Sequence, residues 1–330
     1  MATDMTPPAS APAFLSANGW NGAEIAPLAG DASFRRYFRI RDGARRAVLM
    51  DAPPPHEDPR PFVALAEWLT AHGFGAPAIL ARDYDAGLVL LEDFGDLRVK
   101  EAIEHDPDAT QALYARAVDV LVALRQHPTA DLRRYDLAEL HREADVFTEW
   151  YCPAIGLPVD QEGYRAAWAQ VFDHALTDAP VTVLRDYHVE NLMLIGEGRP
   201  LGLLDFQDAL AGHPAYDLVS LLQDARRDVE TSIEEAMLAR YCDATGEGAA
   251  FRNAYHVLGA QRNAKIVGVF TRLWKRDGKP RYPALCPRVW SYLERDLSYP
   301  VLAPVARWFA DNIPPELRGD PMLLAGVSAQ

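Results

Sequence analysis

Apolar and polar positions change their period along this chain. Residues 33–40, 46–50, 78–83 and 88–92 form short alternating or apolar runs separated by the turn signals Asp42-Gly43 and Asp85-Ala86-Gly87, which predicts strands. Residues 61–72 instead place Phe62, Leu65, Ala66 and Leu69 at helical spacing before Gly73. Beyond Gly95 the helical period takes over. Residues 108–127 carry Leu113, Ala117, Val118, Leu121, Val122 and Leu124 on one face. Further helices are expected at 137–150, 162–176, 218–227, 232–245, 251–275, 286–297 and 301–312. One β-rich pair interrupts them, 192–195 and 201–204, joined by Gly196-Glu197-Gly198 as a hairpin. Strands first, then helices carrying one hairpin, predict an α+β chain with two lobes. The expected division is a flexible lead over 1–13, a β-rich N-lobe over 14–95 and a larger, mainly helical C-lobe over 96–330.

Composition narrows the function classes. The net charge of −14 argues against nucleic acid or an anionic membrane as the partner, since both ask for a basic face. The N-terminal stretch has no basic segment and no long apolar run, so neither a secretion signal nor a membrane span is expected. Cys152, Cys242 and Cys286 are far apart and odd in number. That suits buried apolar thiols in a reducing cytoplasm rather than a disulfide framework or a metal site. Nothing in the composition implies a protein partner.

The chemistry concentrates between Val183 and Asp217. The hairpin is flanked by Arg185, Asp186 and Asn191 on one side and by Asp205 and Asp208 on the other. Two carboxylates and a carboxamide converging on one rim are hard-oxygen ligands, suited to Mg²⁺ carrying nucleotide phosphates. The order Arg-Asp, then Asn191, then Asp205-Phe206 resembles the catalytic and metal loops of protein-kinase-like phosphotransferases. The resemblance implies that Asp186 accepts or orients the proton of an acceptor hydroxyl, and that Asn191 and Asp205 hold Mg²⁺. Singly, each of these residues could instead cap a turn. A kinase-like fold also places its phosphate-covering loop near Gly30-Asp31-Ala32-Ser33, which makes Ser33, Phe34 and Arg35 candidate ATP contacts. The apolar strand ending in Glu92-Asp93-Phe94-Gly95 looks like an inter-lobe hinge, with Glu92 and Phe94 at the adenine. Met50 stands where kinases carry a phosphate-binding lysine, and Arg35, Arg36, Arg39 or Arg46 could supply that charge. Glu67 takes roughly the place of the glutamate that orients the cation.

Three elements together resemble the aminoglycoside phosphotransferase/choline kinase superfamily. They are Leu184-Arg185-Asp186-Tyr187-His188 with Asn191, Leu204-Asp205-Phe206-Gln207-Asp208, and Gly212-His213-Pro214-Ala215-Tyr216-Asp217-Leu218. Leu184 replaces a usual histidine, and Gln207 replaces a usual glycine. Within the superfamily, residues 30–39, 50–54 and the Gln261-Arg262-Asn263-Ala264-Lys265 stretch are similar to a bacterial branch lacking the strand lysine. Those enzymes phosphorylate N-acetylmuramate and N-acetylglucosamine at C1 in peptidoglycan recycling. The resemblance implies ATP and Mg²⁺ as cofactors and a small amino sugar as acceptor. A sugar site needs polar groups and an aromatic platform, and Glu149, Trp150, Tyr216, Asp217 and Arg262 are the candidates. Trp150 could equally pack a helix, and Asp217 could bond the catalytic-loop backbone. The basic run from Arg262 through Lys265, Arg272, Lys275 and Arg276 to Lys279 could meet a carboxylate or be a solvated face. Two other functions stay open: a kinase of another small alcohol or aminoglycoside, and a nucleotide-binding regulatory module without catalysis.

Overall fold

The structure is a computed structural model that describes residues 5–30 and 35–327. In chain order the elements are α1 (Ala11–Ala17), β1 (Glu24–Gly30), β2 (Arg36–Asp42), β3 (Arg45–Asp51), α2 (Arg60–Ala71), β4 (Ile79–Asp83), β5 (Leu88–Glu92) and α3 (Val99–His105). Next come α4 (Thr110–Leu124), α5 (Leu137–Val146), a π-helical turn (Phe147–Tyr151), α6 (Cys152–Ala154) and α7 (Gln161–Ala169). Four short strands follow: β6 (Val181–Val183), β7 (Leu192–Leu194), β8 (Leu201–Leu203) and β9 (Leu210–Gly212). The chain closes with α8 (Ala215–Leu222), α9 (Thr231–Thr245), α10 (Ala249–Lys275), α11 (Cys286–Leu297), α12 (Ala303–Asn312) and α13 (Pro321–Val327). It is the α+β arrangement expected, a small β-rich unit and a larger helical one. The compact units are Met1–Thr110 with Val189–Asp208, and Gln111–His188 with Ala209–Gln330.

The first unit is built on an antiparallel five-stranded sheet ordered β1-β2-β3-β5-β4. Its β1 is not foreseen by the alternation because Pro27 interrupts it. Proline is tolerated there since β1 is an edge strand, with a register shift between Pro27 and Ala29. Nor is α1 foreseen inside an Ala/Pro-rich stretch. Pro12 falls in its first turn, where a missing N–H costs nothing. Phe14, Leu15 and Trp20 cover Phe38, Ile40 and Leu49 of the sheet. The β7–β8 hairpin groups with this sheet unit, and Leu203 N–H donates to the Gly75 carbonyl at 2.7 Å. Gly75 allows that approach, for a β-carbon there would collide with the Leu201 carbonyl.

The second unit is organised by α10, 27 residues long and buried over most of its length. It packs against α5, the π-helical turn, α8 and α11. Phe147 on the turn stacks on Tyr151 at 5.2 Å and meets Trp290 and Phe309. The α5 end approaches α10 closely at Gly268, where a β-carbon would collide with the Val146 carbonyl and lie 2.8 Å from Phe147 N. Both are backbone atoms and cannot swing aside. Gly268→Ala is therefore expected to destabilise by about 1–3 kcal/mol despite alanine's better helix propensity, as overpacking does. A urea midpoint equal to that of the wild type would show that the two segments part at no cost.

Cys152, Cys242 and Cys286 are buried free thiols, and burial pushes Cys152 up to about 12. No described helix is long and apolar enough to cross a membrane.

Candidate active site

In the first unit the hairpin sends Asn191 and Asp205 off the same end of its ladder. Leu192 pairs with Leu203, and one step beyond, Leu204 N–H donates to the Asn191 carbonyl at 3.0 Å. Asp205 adopts a left-handed φ of 58°, which costs a non-glycine residue energy unless the surroundings enforce it. Two contacts do so. Phe206, fully buried, stacks on Phe62 of α2 at 4.9 Å and 9°, and Gln207 Nε2 donates to Asp205 Oδ1 at 2.9 Å. The glutamine that replaces the expected glycine thus braces the aspartate.

A cavity of ≈ 350 Å³ in the same unit is lined by Tyr37, Val48, Leu91, Phe94 and Met193 among its apolar walls, with Glu92, Asp93, Arg98, Glu190, Asn191 and Asp205 as its polar groups. Apolar walls with a few polar groups suit a flat ring bearing an ionic tail. Glu92 lines it, but its N–H donates to Ala78 at 2.9 Å and its carboxylate pairs with Arg199 at 2.9 Å. Asn191 and Asp205 offer a carboxamide and a carboxylate oxygen, and among the described residues no imidazole or thiolate lines the cavity. Such a set fits a hard cation that takes its remaining ligands from phosphate and water. Among the described residues no three His, Cys, Asp or Glu side chains gather as a self-sufficient metal centre.

The arginines near the missing lysine take separate places. Met50 is fully buried. Arg39 lies 2.8 Å from both Asp93 and Asp96 and donates to the Gly95 carbonyl at 3.1 Å, tying β2 to the linker after β5. Burial works against its charge, but Asp96 and Asp93 hold its pKa above the ordinary value. Arg36 binds Asp51 at 2.6 Å, Arg35 pairs with Glu57 at 3.2 Å, and Arg46 is exposed. Ser33 and Phe34 lie outside the described residues. The expectation for Glu67 is corrected. It sits on the exposed side of α2, opposite buried Phe62, Leu65, Ala66 and Leu69, and pairs with Arg82 of β4 at 2.5 Å.

In the second unit the loop after β6 carries Asp186, half-buried, beside an Arg185 held at a left-handed φ of 72°. Asp217 accepts from Leu184 N–H at 2.6 Å and from Arg185 N–H at 2.8 Å. Ser220 Oγ donates to the Arg185 carbonyl at 3.0 Å, and Arg262 donates to that hydroxyl at 2.8 Å. Burial pushes Asp217 up to about 7, opposed by its two backbone donors. Glu143 of α5, 1% exposed, receives the Arg185 guanidinium, the Lys265 ammonium at 2.7 Å and the Tyr135 hydroxyl at 2.6 Å. Burial raises the cost of its charge, but Lys265 and Arg185 outweigh it and keep its pKa below the usual glutamate value. The unfavourable Arg185 backbone is thus held at its N–H and its carbonyl, and the side chain by Glu143.

A model of the phosphotransferase enzyme family matches residues 24–252. The chain belongs to that family. The N-acetylmuramate/N-acetylglucosamine kinase of Pseudomonas aeruginosa is 41% identical, with 86% of this chain and 87% of that one covered. The kinase of the same name from Caulobacter vibrioides is 39% identical, with 93% and 96% covered. Among solved structures, LicA in complex with AMP matches with a TM-score of 0.57 at 12% identity, covering 90% of this chain and 97% of that one. That likeness concerns the fold.

The phosphotransferase gathers Glu92, Phe94, Asn191 and Asp205 around one cavity, and Tyr216, Asp217 and Arg262 behind the Asp186 loop. Tyr216 is 1% exposed and packs edge-on against Tyr135, with its hydroxyl 3.4 Å from Lys265. Glu149 is exposed and Trp150 half-buried on the π-helical turn. The basic run divides, with Arg262 buried, Lys265 and Arg272 half-buried, and Lys275 and Arg276 in solvent. Glu143 is not singled out by any motif. Its signal is a glutamate at the core-facing spacing of Leu140, Ala144 and Phe147, which only a buried partner makes tolerable.

Proposed function

We propose that this phosphotransferase transfers the γ-phosphoryl group of ATP to the anomeric C1 hydroxyl of N-acetylmuramate and N-acetylglucosamine. The observation that carries the reading is the identity of 36–41% to four proteins named as kinases of these two sugars, over 84–93% of this chain. The geometry supports it. ATP would occupy the cavity beside Val48, Leu91 and Phe94, with its phosphates toward Asn191 and Asp205. These two residues would hold Mg²⁺, which when bound neutralises charge on the β- and γ-phosphate oxygens. Asp186 takes the C1 hydroxyl proton as the sugar oxygen bonds to the γ-phosphorus and the bond to the β-phosphate oxygen breaks, releasing ADP. An anomeric hydroxyl is more acidic than an ordinary alcohol, so its proton is easier for a carboxylate to take.

Purified protein with ATP, Mg²⁺ and either sugar is expected to release ADP and abolish the sugar's reducing-end reactivity in equal amounts. ADP release with the reducing end intact would move the phosphate to another hydroxyl. No ADP release with either sugar, against turnover of an aminoglycoside or choline, would replace the acceptor.

A further inference from the structure

A second cleft, of ≈ 740 Å³, lies in the helical unit between α5, the π-helical turn, α7 and α10. Three guanidiniums line it, Arg142, Arg165 and Arg272, against two carboxylates, Asp145 and Glu149. The pairs are unequally satisfied. Arg165 bonds both oxygens of Asp145, at 3.0 and 2.7 Å, and Arg142 is held by Glu139. Arg272 has neither kind of partner: its Nε is buried with no hydrogen bond, and no carboxylate among the described residues stands within ion-pair distance. Burial, with Arg276 nearby, draws its pKa below the ordinary arginine value, a sign of charge short of compensation. His141, also on the wall, is pulled down by burial and adds no cation at neutral pH.

The cleft adjoins the support of the Asp186 loop. Arg142 on its wall also comes within 3.8 Å of Glu143, the carboxylate that holds Arg185. Lys265, on the same carboxylate, and Arg272 are two turns apart on one face of α10. A half-buried guanidinium without an anion, facing a cleft, is matched by a carboxylate, which it can grip through two parallel N–H bonds.

We propose that this cleft receives the carboxylate of the acceptor, with Arg272 as its contact. The inference rests on the acceptor reading above and assigns a residue to the difference between the two sugars: N-acetylmuramate carries a lactyl carboxylate, and N-acetylglucosamine carries none. Arg272 is then the residue that favours the acidic sugar.

The test is kcat/KM for both sugars in the wild type, Arg272→Gln and Arg272→Lys. Losing a charge-assisted pair is expected to lower kcat/KM for N-acetylmuramate by about 10- to 100-fold in Arg272→Gln, chiefly through KM. The N-acetylglucosamine value is expected to move by less than about two-fold, and Arg272→Lys to retain part of the discrimination. Equal losses on both sugars, or unchanged discrimination, overturn the subsite while leaving the acceptor reading in place. Wild-type enzyme that turns over neither sugar overturns both.

Discussion

Asp186→Asn is expected to lower kcat for ADP release by about 10²- to 10⁴-fold while nucleotide affinity stays within about two-fold of the wild type. The change is nearly isosteric and removes the capacity to accept the hydroxyl proton. The loop should keep its shape, because Asp217 and Ser220 hold its backbone at Leu184 and Arg185 and Glu143 holds the Arg185 guanidinium. The cavity assigned to the nucleotide is lined by residues of the other unit, Val48, Leu91, Phe94, Asn191 and Asp205 among them. Steady-state ADP release with saturating N-acetylglucosamine, alongside calorimetric titration with ADP, separates the two effects. Turnover equal to the wild type would remove Asp186 from the proton's path. A wild-type protein that binds ADP but releases none with any sugar, aminoglycoside or choline would point to the regulatory module instead.

The parts legible in the sequence are those set by local periodicity and by turn chemistry. The 88–92 strand, the 286–297 helix and the hairpin around Gly196-Glu197-Gly198 appear within a residue of their expected bounds. The Asp-Phe pair was legible as a motif, though not its device, in which Phe206 anchors on Phe62 so that Asp205 keeps an unfavourable φ. Elements that depend on distant partners were hidden. Strands β6 and β9 are three residues each and exist because Val181–Val183 meets Leu210–Gly212 across the intervening chain. The same holds for the arginines near Met50. Local sequence gives them one basic strand face, whereas carboxylates on other segments, Asp51, Glu57, Asp93 and Asp96, decide what Arg35, Arg36 and Arg39 do. Helix periodicity alone puts Glu67 on the solvent side of α2, where it pairs with Arg82.

Glu143→Gln is expected to cost about 3–5 kcal/mol of stability, because it leaves two cations around a buried neutral amide. Glu143 is 1% exposed, while the Arg185 and Lys265 side chains are 17% and 19% exposed, so water screens the remaining repulsion poorly. The sign of the pH dependence follows from the depressed Glu143 pKa. The stabilisation is fully present above the ordinary value of 4.5 and fades as pH falls through the lower folded value, so the glutamine variant should lack that acid limb. Because Arg185 precedes Asp186, kcat should fall as well, with KM for ATP little changed. A purely structural glutamate would lower the folded fraction without altering kcat per folded molecule. Lys265→Gln alone should cost less, since Arg185 still balances the carboxylate. Adding it to Glu143→Gln should recover part of the loss by removing one uncompensated cation. Urea unfolding of the four proteins gives the coupling directly. A double variant whose loss equals the sum of the two single losses would mean that Glu143 and Lys265 contribute independently, with no charge coupling between them.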